Sequence, residues 1–315
     1  MAITFRPGLL PNDWRKRRIY LSPHIDAATV LAAPPAADWD TKVSAWEMLG
    51  NDTAGDCDPV AQDHSVMAWT ANAGTPVVPT TADALRAYSE ITGYDPSKTQ
   101  PDGSNPTDNG TVMQDGLDYW RKTGMPVGAG RHQILAFAQV DHTSPLEMRA
   151  AVALFGEILL GVQIPQSAMD QTEAGQPWDY VPGSPILGGH AICCGRYDAN
   201  AGTWTVITWG QEQIVTEAFM TQFLGEAWVA VSQEWFEANG NTPSGLNLAT
   251  LGQDFTALTG QPAPWAGQKP PAPTPPSPHH HRHNWFGEVL GEWLTDVEAS
   301  DPTLAVLAER LKDLL

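Results

Sequence analysis

Prolines decide which parts of this chain can form helix or sheet at all. Proline fixes φ and supplies no backbone N–H, so neither a helix interior nor a central strand accepts it. Eight of the 17 residues from Pro262 to Pro278 are proline, which predicts an extended polyproline spacer separating two bodies. A second scatter, at positions 7, 11, 23, 34 and 35, leaves residues 1–38 without a lasting helical or alternating period. That stretch reads as an N-terminal arm lying along a body. The organisation that follows is an arm over 1–38, a main domain over 39–260, a Pro/His-rich linker over 261–284 and a helical segment over 285–315.

Inside the main domain the periodicity predicts helices near 57–72, 81–92, 112–124 and 145–155, then strands near 157–164, 189–197, 203–209 and 227–232. Helices first and strands last is an α+β order, not an alternating βαβ one. Residues 95–111 form a polar loop of the functional or mobile kind. Beyond the linker, Phe286, Val289, Trp293 and Val297 repeat at helical spacing. Asp301-Pro302 then opens a second helix carrying Leu304, Leu307, Leu311 and Leu314. Two short amphipathic helices cannot bury their apolar faces alone, so 285–315 is expected to attach to another copy or to other proteins of an assembly.

Charge narrows the partners. With Lys+Arg 17 against Asp+Glu 36 the net charge is −19, a field that repels nucleic-acid phosphates and anionic lipid surfaces. No nucleic acid and no membrane partner is expected. The basic run Arg15-Lys16-Arg17-Arg18 is expected to dock on the protein's own acidic body or on an acidic neighbour. Neither a signal-peptide core nor an 18-residue apolar run is present, which implies cytoplasmic synthesis. Three cysteines, two of them adjacent (Cys193, Cys194), make no disulfide framework. The run His279-His280-His281-Arg282-His283 has no companion Cys or carboxylate cluster, so no metal site and no cofactor is expected. His24, His132 and His142 are read as surface or capping residues.

One stretch carries chemistry. In Gly50-Asn51-Asp52-Thr53-Ala54-Gly55-Asp56-Cys57-Asp58-Pro59 a glycine-bearing turn delivers a cysteine to the start of a helix, with Asp56 as N-cap and Pro59 in the first turn. Free N–H groups and the positive end of the dipole there favour thiolate and can receive an oxyanion, and Asn51 offers an amide donor to the same place. Asp56 and Asp58 flank the thiol with negative charge, which works the other way. His64, seven residues along the same helix, is roughly 10 Å away and too far to act as base. His190 is 133 residues downstream, in the strand Gly188-Gly189-His190-Ala191-Ile192-Cys193-Cys194-Gly195-Arg196-Tyr197, followed by the strand Thr203 to Gly210.

At these residues the sequence resembles the papain-like cysteine peptidases, whose pattern is matched by Asn51, Cys57, Gly189-His190-Ala191, Gly195-Arg196-Tyr197 and Ile207-Thr208-Trp209-Gly210. The Asp56-Cys57 pair is also similar to the bacteriocin-leader peptidases. Asn109-Gly110-Thr111 resembles the glycine-bearing wall of the family's substrate cleft. The resemblance spans about 40–235 and implies a helical lobe on an antiparallel sheet lobe, a peptide or protein substrate, and hydrolysis by Cys57 and His190 with Asn51 at the oxyanion. It implies Trp209 as a shield over the pair. It departs at two points: Asn51 stands for the usual Gln, and Ile207 for the Asn that orients the imidazole; Thr208 is expected on the opposite face of the strand, yet Thr208 and Trp209 are the residues read for an orienting or shielding role. The pattern also looks like uncharacterised proteins of actinobacteria and their phages. The alternative to an enzyme is therefore a catalytically weak structural or binding component of a phage particle, incorporated into the virion.

Overall fold

The computed structural model describes residues 5–25, 27–232 and 234, with the single positions 253, 256 and 262. The helices expected over 285–315 and the spacer, Pro262 apart, lie outside the described residues. The arm carries a short helix α1 (Ala27–Leu31) and a short strand β1 (Ala36–Asp38). Then come helices α2 (Cys57–Asn72), α3 (Thr81–Thr92) and α4 (Met113–Lys122), and a hairpin of β2 (Met125–Val127) and β3 (Gly130–His132). The second half alternates β4 (Ile134–Val140), α5 (Pro145–Phe155), β5 (Ile158–Pro165) and α6 (Gln166–Glu173). It finishes with β6 (Ile186–Asp198), β7 (Thr203–Thr208), β8 (Gln211–Thr216), α7 (Glu217–Phe223) and β9 (Leu224–Ser232).

Local chemistry sets several of these boundaries. Thr80 and Asp83 form a reciprocal capping box at the start of α3, and Gly93 closes it in the left-handed region at φ 80°. Ser144 caps α5 by accepting from the Glu147 N–H, with Pro145 in the first turn. Asp56 sits at the N-cap of α2, but its side chain makes no capping hydrogen bond; it turns to Asn51 instead.

The strands β4-β9-β5-β6-β7-β8 lie in that order, each antiparallel to its neighbour, with β1 added along β6. Both faces of this sheet are covered, which is why its central strands are apolar runs and not alternating ones. On one face α5, α6 and α7 bring Phe155, Ala168, Phe219 and Phe223 onto Ile192, Cys194, Trp204 and Val206. On the other, α2 and α4 bring Cys57, Trp69, Leu117 and Trp120 onto Ala191, Cys193, Ile207 and Trp228. The adjacent cysteines thus face opposite layers, and all three cysteines are free and buried. Helix α2 lies between lobes and is buried on every side from Cys57 to Thr70. Trp69 stacks on Trp120 with centroids 5.5 Å apart, a pairing worth about 0.5–1.5 kcal/mol beyond its buried area.

The arm packs against the sheet and its edge. Ile19, Leu21 and Ile25 enter the core, and Leu21 donates to Gln139 O while Gln139 donates to Ile19 O, both at 2.8 Å, so the arm covers the open edge of β4. Lys16 pairs with Asp115, and Arg18 is held by Asn12, Gln139 and the carbonyl of Asp13. His24, expected at the surface, is buried because the arm carries it inward with Leu21 and Ile25. The polar loop over 95–111 is ordered by its own side chains, which cap successive turns at Asp95, Asp102 and Asn105.

Candidate active site

The turn before α2 is tightly wound. Leu49 and Gly50 take positive φ (55° and 99°), the carbonyl of Gly50 accepts from Thr53 and Ala54, and the loop ends at Cys57 in the first turn of the helix. Gly55 donates to both oxygens of Asp108 at 3.1 Å. Tyr88 donates to Asp108 at 2.6 Å and accepts from the Gly110 N–H at 2.8 Å. One phenol and one carboxylate from distant helix and loop thus fix the cysteine turn against the Gly110-Thr111 segment.

His190 lies on β6 opposite Val162 of β5. Its Nε2 shares a 2.8 Å hydrogen bond with Thr208 Oγ1, and Trp209 stacks on the imidazole at 4.8 Å with planes 20° apart. Nδ1 has no hydrogen-bond partner among the described residues. Cys57 Sγ accepts from the backbone N–H of Ala191, the residue after His190, at 3.4 Å. Cysteine turn and histidine strand therefore meet at one point, with Thr208 and Trp209 behind the imidazole.

One expectation needs correction. Thr208 does not turn away from His190. In the β6–β7 ladder Cys193 pairs with Ile207, so Ile207 shares the face of Ala191 and Cys193 and packs in the layer with Cys57. One residue further, Thr208 falls on the face of His190, and its hydroxyl reaches the imidazole. Aligning on the Trp-Gly end alone misplaced it by one residue, which in a strand exchanges the faces. Asp56 and Asp58 flank the thiol on either side in sequence. Both are fully buried, burial holds their own carboxyls well above the usual range, and both act on the thiol in the expected upward sense. Asn51 Nδ2 donates to Asp56 Oδ1 at 3.2 Å, which commits one of its two N–H bonds.

The electrostatics follow from enclosure. Cys57 and His190 are both 0% exposed. Burial pushes the Cys57 thiol up, against the lowering effect of the Ala191 N–H, and draws the His190 imidazole down to about 3. A buried pair of this kind rests as thiol and neutral imidazole. The same holds for His64, which is bonded through Nε2 to Glu47 O at 2.8 Å. Burial lowers it to about 4, and it belongs to the packing.

What encloses the pair is the arm, which the sequence reading did not foresee. Leu9 bridges Thr111 on one side and Gly189 on the other. Leu10 donates to Thr111 O (2.9 Å), Thr111 to Gly8 O (2.7 Å) and Leu9 to Gly189 O (3.2 Å). Phe5 meets the His190 ring edge-on at 5.7 Å and the Trp209 ring at 6.2 Å. Gly110 and Thr111, read as a cleft wall, lie on one side of the arm, and Gly189 lies on the other. Phe5, Gly8, Leu9, Tyr88 and Asp108 carried no sequence signal because each acts through contacts far along the chain.

No protein-family model and no curated protein matches this sequence. Solved structures do. Xylellain, a cysteine protease from Xylella fastidiosa, superposes with a TM-score of 0.57 at 14% identity, over 74% of this chain and 98% of that one. Procathepsin B S9 from Trypanosoma congolense gives a TM-score of 0.52 at 10% identity, over 72% and 86% respectively. At such identities the likeness is one of architecture: this chain has the fold of the papain-like cysteine proteases.

Proposed function

We propose that the chain is a thiol hydrolase that cleaves peptide or amide bonds, with Cys57 as nucleophile and His190 as base. The observation that carries this reading is the hydrogen bond between His190 Nε2 and Thr208 Oγ1. With Nε2–H donating to the hydroxyl, the lone pair is on Nδ1, the nitrogen without a partner, and the ring is held from behind by Thr208 and Trp209. His190 takes the thiol proton as Sγ attacks the substrate carbonyl. The oxyanion is received at the start of α2, by the Cys57 N–H and by the Asn51 N–H not used on Asp56. The imidazolium returns the proton to the leaving amine, giving a thioester that water hydrolyses with His190 again as base.

A second reading has support from one observation: Cys57 has no exposed surface. On that reading the domain is an inactive component of a larger assembly, tethered through 285–315. Incubating the full chain with a mixture of unstructured peptides, beside Cys57→Ala and His190→Ala, separates the two. Cleavage lost in both variants supports the hydrolase. No cleavage by any form, including one with the cleft opened, supports the assembly component.

A further inference from the structure

We propose that Asp40 and Glu157 share one proton and act as a latch, which fastens the segment Ala36–Asp40 to β6 beside the start of β5 for as long as that proton is held. The segment needs a fastener. Strand β1 has three residues and none of them is buried, so apolar burial contributes little to holding it. On its far side Trp39 donates its backbone N–H to Gly195 O and its indole N–H to Val152 O, both at 3.1 Å, and packs against both core layers. On its near side Ala199 donates to Pro35 O at 2.8 Å. Asp40 follows directly and carries the chain on toward the cysteine turn.

The two carboxyls meet where β6 has no side chain. A Cβ on Gly195 would lie 2.1 Å from Glu157 Oε1 and 2.5 Å from Asp40 Oδ1, so the two oxygens converge on one point over bare backbone. Both residues are 1% exposed, and no backbone N–H, amide or hydroxyl donor among the described residues reaches any of their four oxygens. Two carboxylates so placed repel each other, whereas a carboxylic acid beside a carboxylate makes a charge-assisted O–H···O bond. Burial raises both groups, Asp40 to about 6 and Glu157 well above the usual range. Their protons therefore leave in two separate steps that belong to the pair, and one proton remains between them near neutrality. The negative charge left on the pair faces Arg196 of β6, which is also paired with Asp38 of β1 and Glu212 of β8. The Cys193 and Cys194 thiols of β6 face the pair as well, and burial raises both, so they keep their protons. Loss of the last shared proton puts two negative charges at one buried point. The bonds of Trp39 and Ala199 then open while the sheet stays paired.

The test is hydrogen exchange of single amides in the full-length chain, corrected for the intrinsic pH dependence of exchange and followed from neutrality upward until the chain unfolds. The latch predicts that the Trp39 and Ala199 amides lose protection by about tenfold or more at a pH where those of Leu21 and Gln139, which tie the arm to β4, still keep theirs. Glu157→Gln replaces the shared proton by an amide N–H that does not titrate, and Asp40→Asn does the same from the other side. In either variant Trp39 and Ala199 should stay protected over the range in which the wild type opens. Opening of all four wild-type amides together overturns the proposal, and so does the same local loss in a folded Glu157→Gln or Asp40→Asn. Should neither variant fold, the order of opening in the wild type decides alone.

Discussion

Thr208 Oγ1 and His190 Nε2 lie 2.8 Å apart on one face of the sheet, although they belong to different strands. The pairing replaces an amide side chain by a hydroxyl one, and it carries a first prediction. Thr208→Val keeps the volume and removes the partner of a fully buried imidazole nitrogen, at a cost of about 1–3 kcal/mol in stability. Loss of orientation should lower the peptide-cleavage rate of an opened form by about 10- to 100-fold, or 1.4–2.7 kcal/mol of barrier. Thr208→Ser, which retains the hydroxyl, should recover most of it. Equal rates for Val and Ser would show that the hydroxyl does not act through His190.

Asp108 is expected to be as important to folding as any core residue. It accepts from Gly55 and from Tyr88, and the Tyr88 hydroxyl accepts in turn from Gly110. Asp108→Ala leaves a buried N–H and a buried phenol without their acceptor, a loss of about 2–4 kcal/mol. Tyr88→Phe should cost less, about 1–2 kcal/mol, because only the hydroxyl is deleted. Since both act on one network, the double variant should be more stable than the sum of the singles predicts. Urea unfolding of the four forms measures this, and strict additivity would mean that the clamp is not a unit.

Much of this architecture was legible in the chain. The helices α2, α3, α4 and α5 and the strands β5, β6, β7 and β9 follow from periodicity and caps. The β4 run Ile134–Val140 was missed because it is buried on both faces and an apolar run of that length reads equally as helix. Strand β8 was missed for the opposite reason: Gln211, Glu212 and Ile214 are exposed and give no apolar alternation. Cys57 and His190 were visible from flanking motifs. Thr208 was assigned to the wrong face because a face depends on ladder register, which a single strand does not contain. The arm's place in the cleft was hidden entirely, since Leu9, Thr111 and Gly189 meet only in three dimensions.

The attachment segment supplies a prediction that rests on sequence. Deleting residues 262–315 leaves the described sheet and helices whole, because β9 ends at Ser232 and the core clusters draw on residues before that point. The shortened chain should fold with an unchanged melting temperature. By light scattering it should have lost whatever self-association the full chain shows. An identical association state in both forms would remove the attachment role from 285–315.

Buried carboxyls make stability depend on pH in an unusual direction. Burial raises Asp56, Asp58, Asp63 and Glu157 well above the ordinary carboxylate range, brings Asp40 up to about 6, and raises Glu226. Each of these groups holds a proton in the folded chain that the unfolded chain releases near pH 4. Their contribution to stability is therefore complete in acid and is lost as pH rises toward the folded values. His64 and His190, lowered to about 4 and about 3, act in the opposite sense. Their contribution is present above about pH 6.5 and is lost as the pH falls through those values. Between pH 4 and 6.5 the two sets oppose each other, whereas above neutrality the histidines no longer change and the carboxyls act in the same sense as the three buried thiols, which burial also raises. Urea midpoints should fall as the pH rises above neutrality as long as any of Asp56, Asp58, Asp63 and Glu157 still holds its proton in the fold. Asp63 is the sharpest probe, since neither of its oxygens has a hydrogen-bond partner among the described residues. Asp63→Asn, neutral at every pH, should be more stable than wild type at pH 9, by about 1.4 kcal/mol for each pH unit that the folded Asp63 stands above the unfolded value. It should show a shallower pH slope. A midpoint that rises or stays level between pH 7 and pH 9 in the wild-type chain would mean that these carboxyls are ionised in the fold.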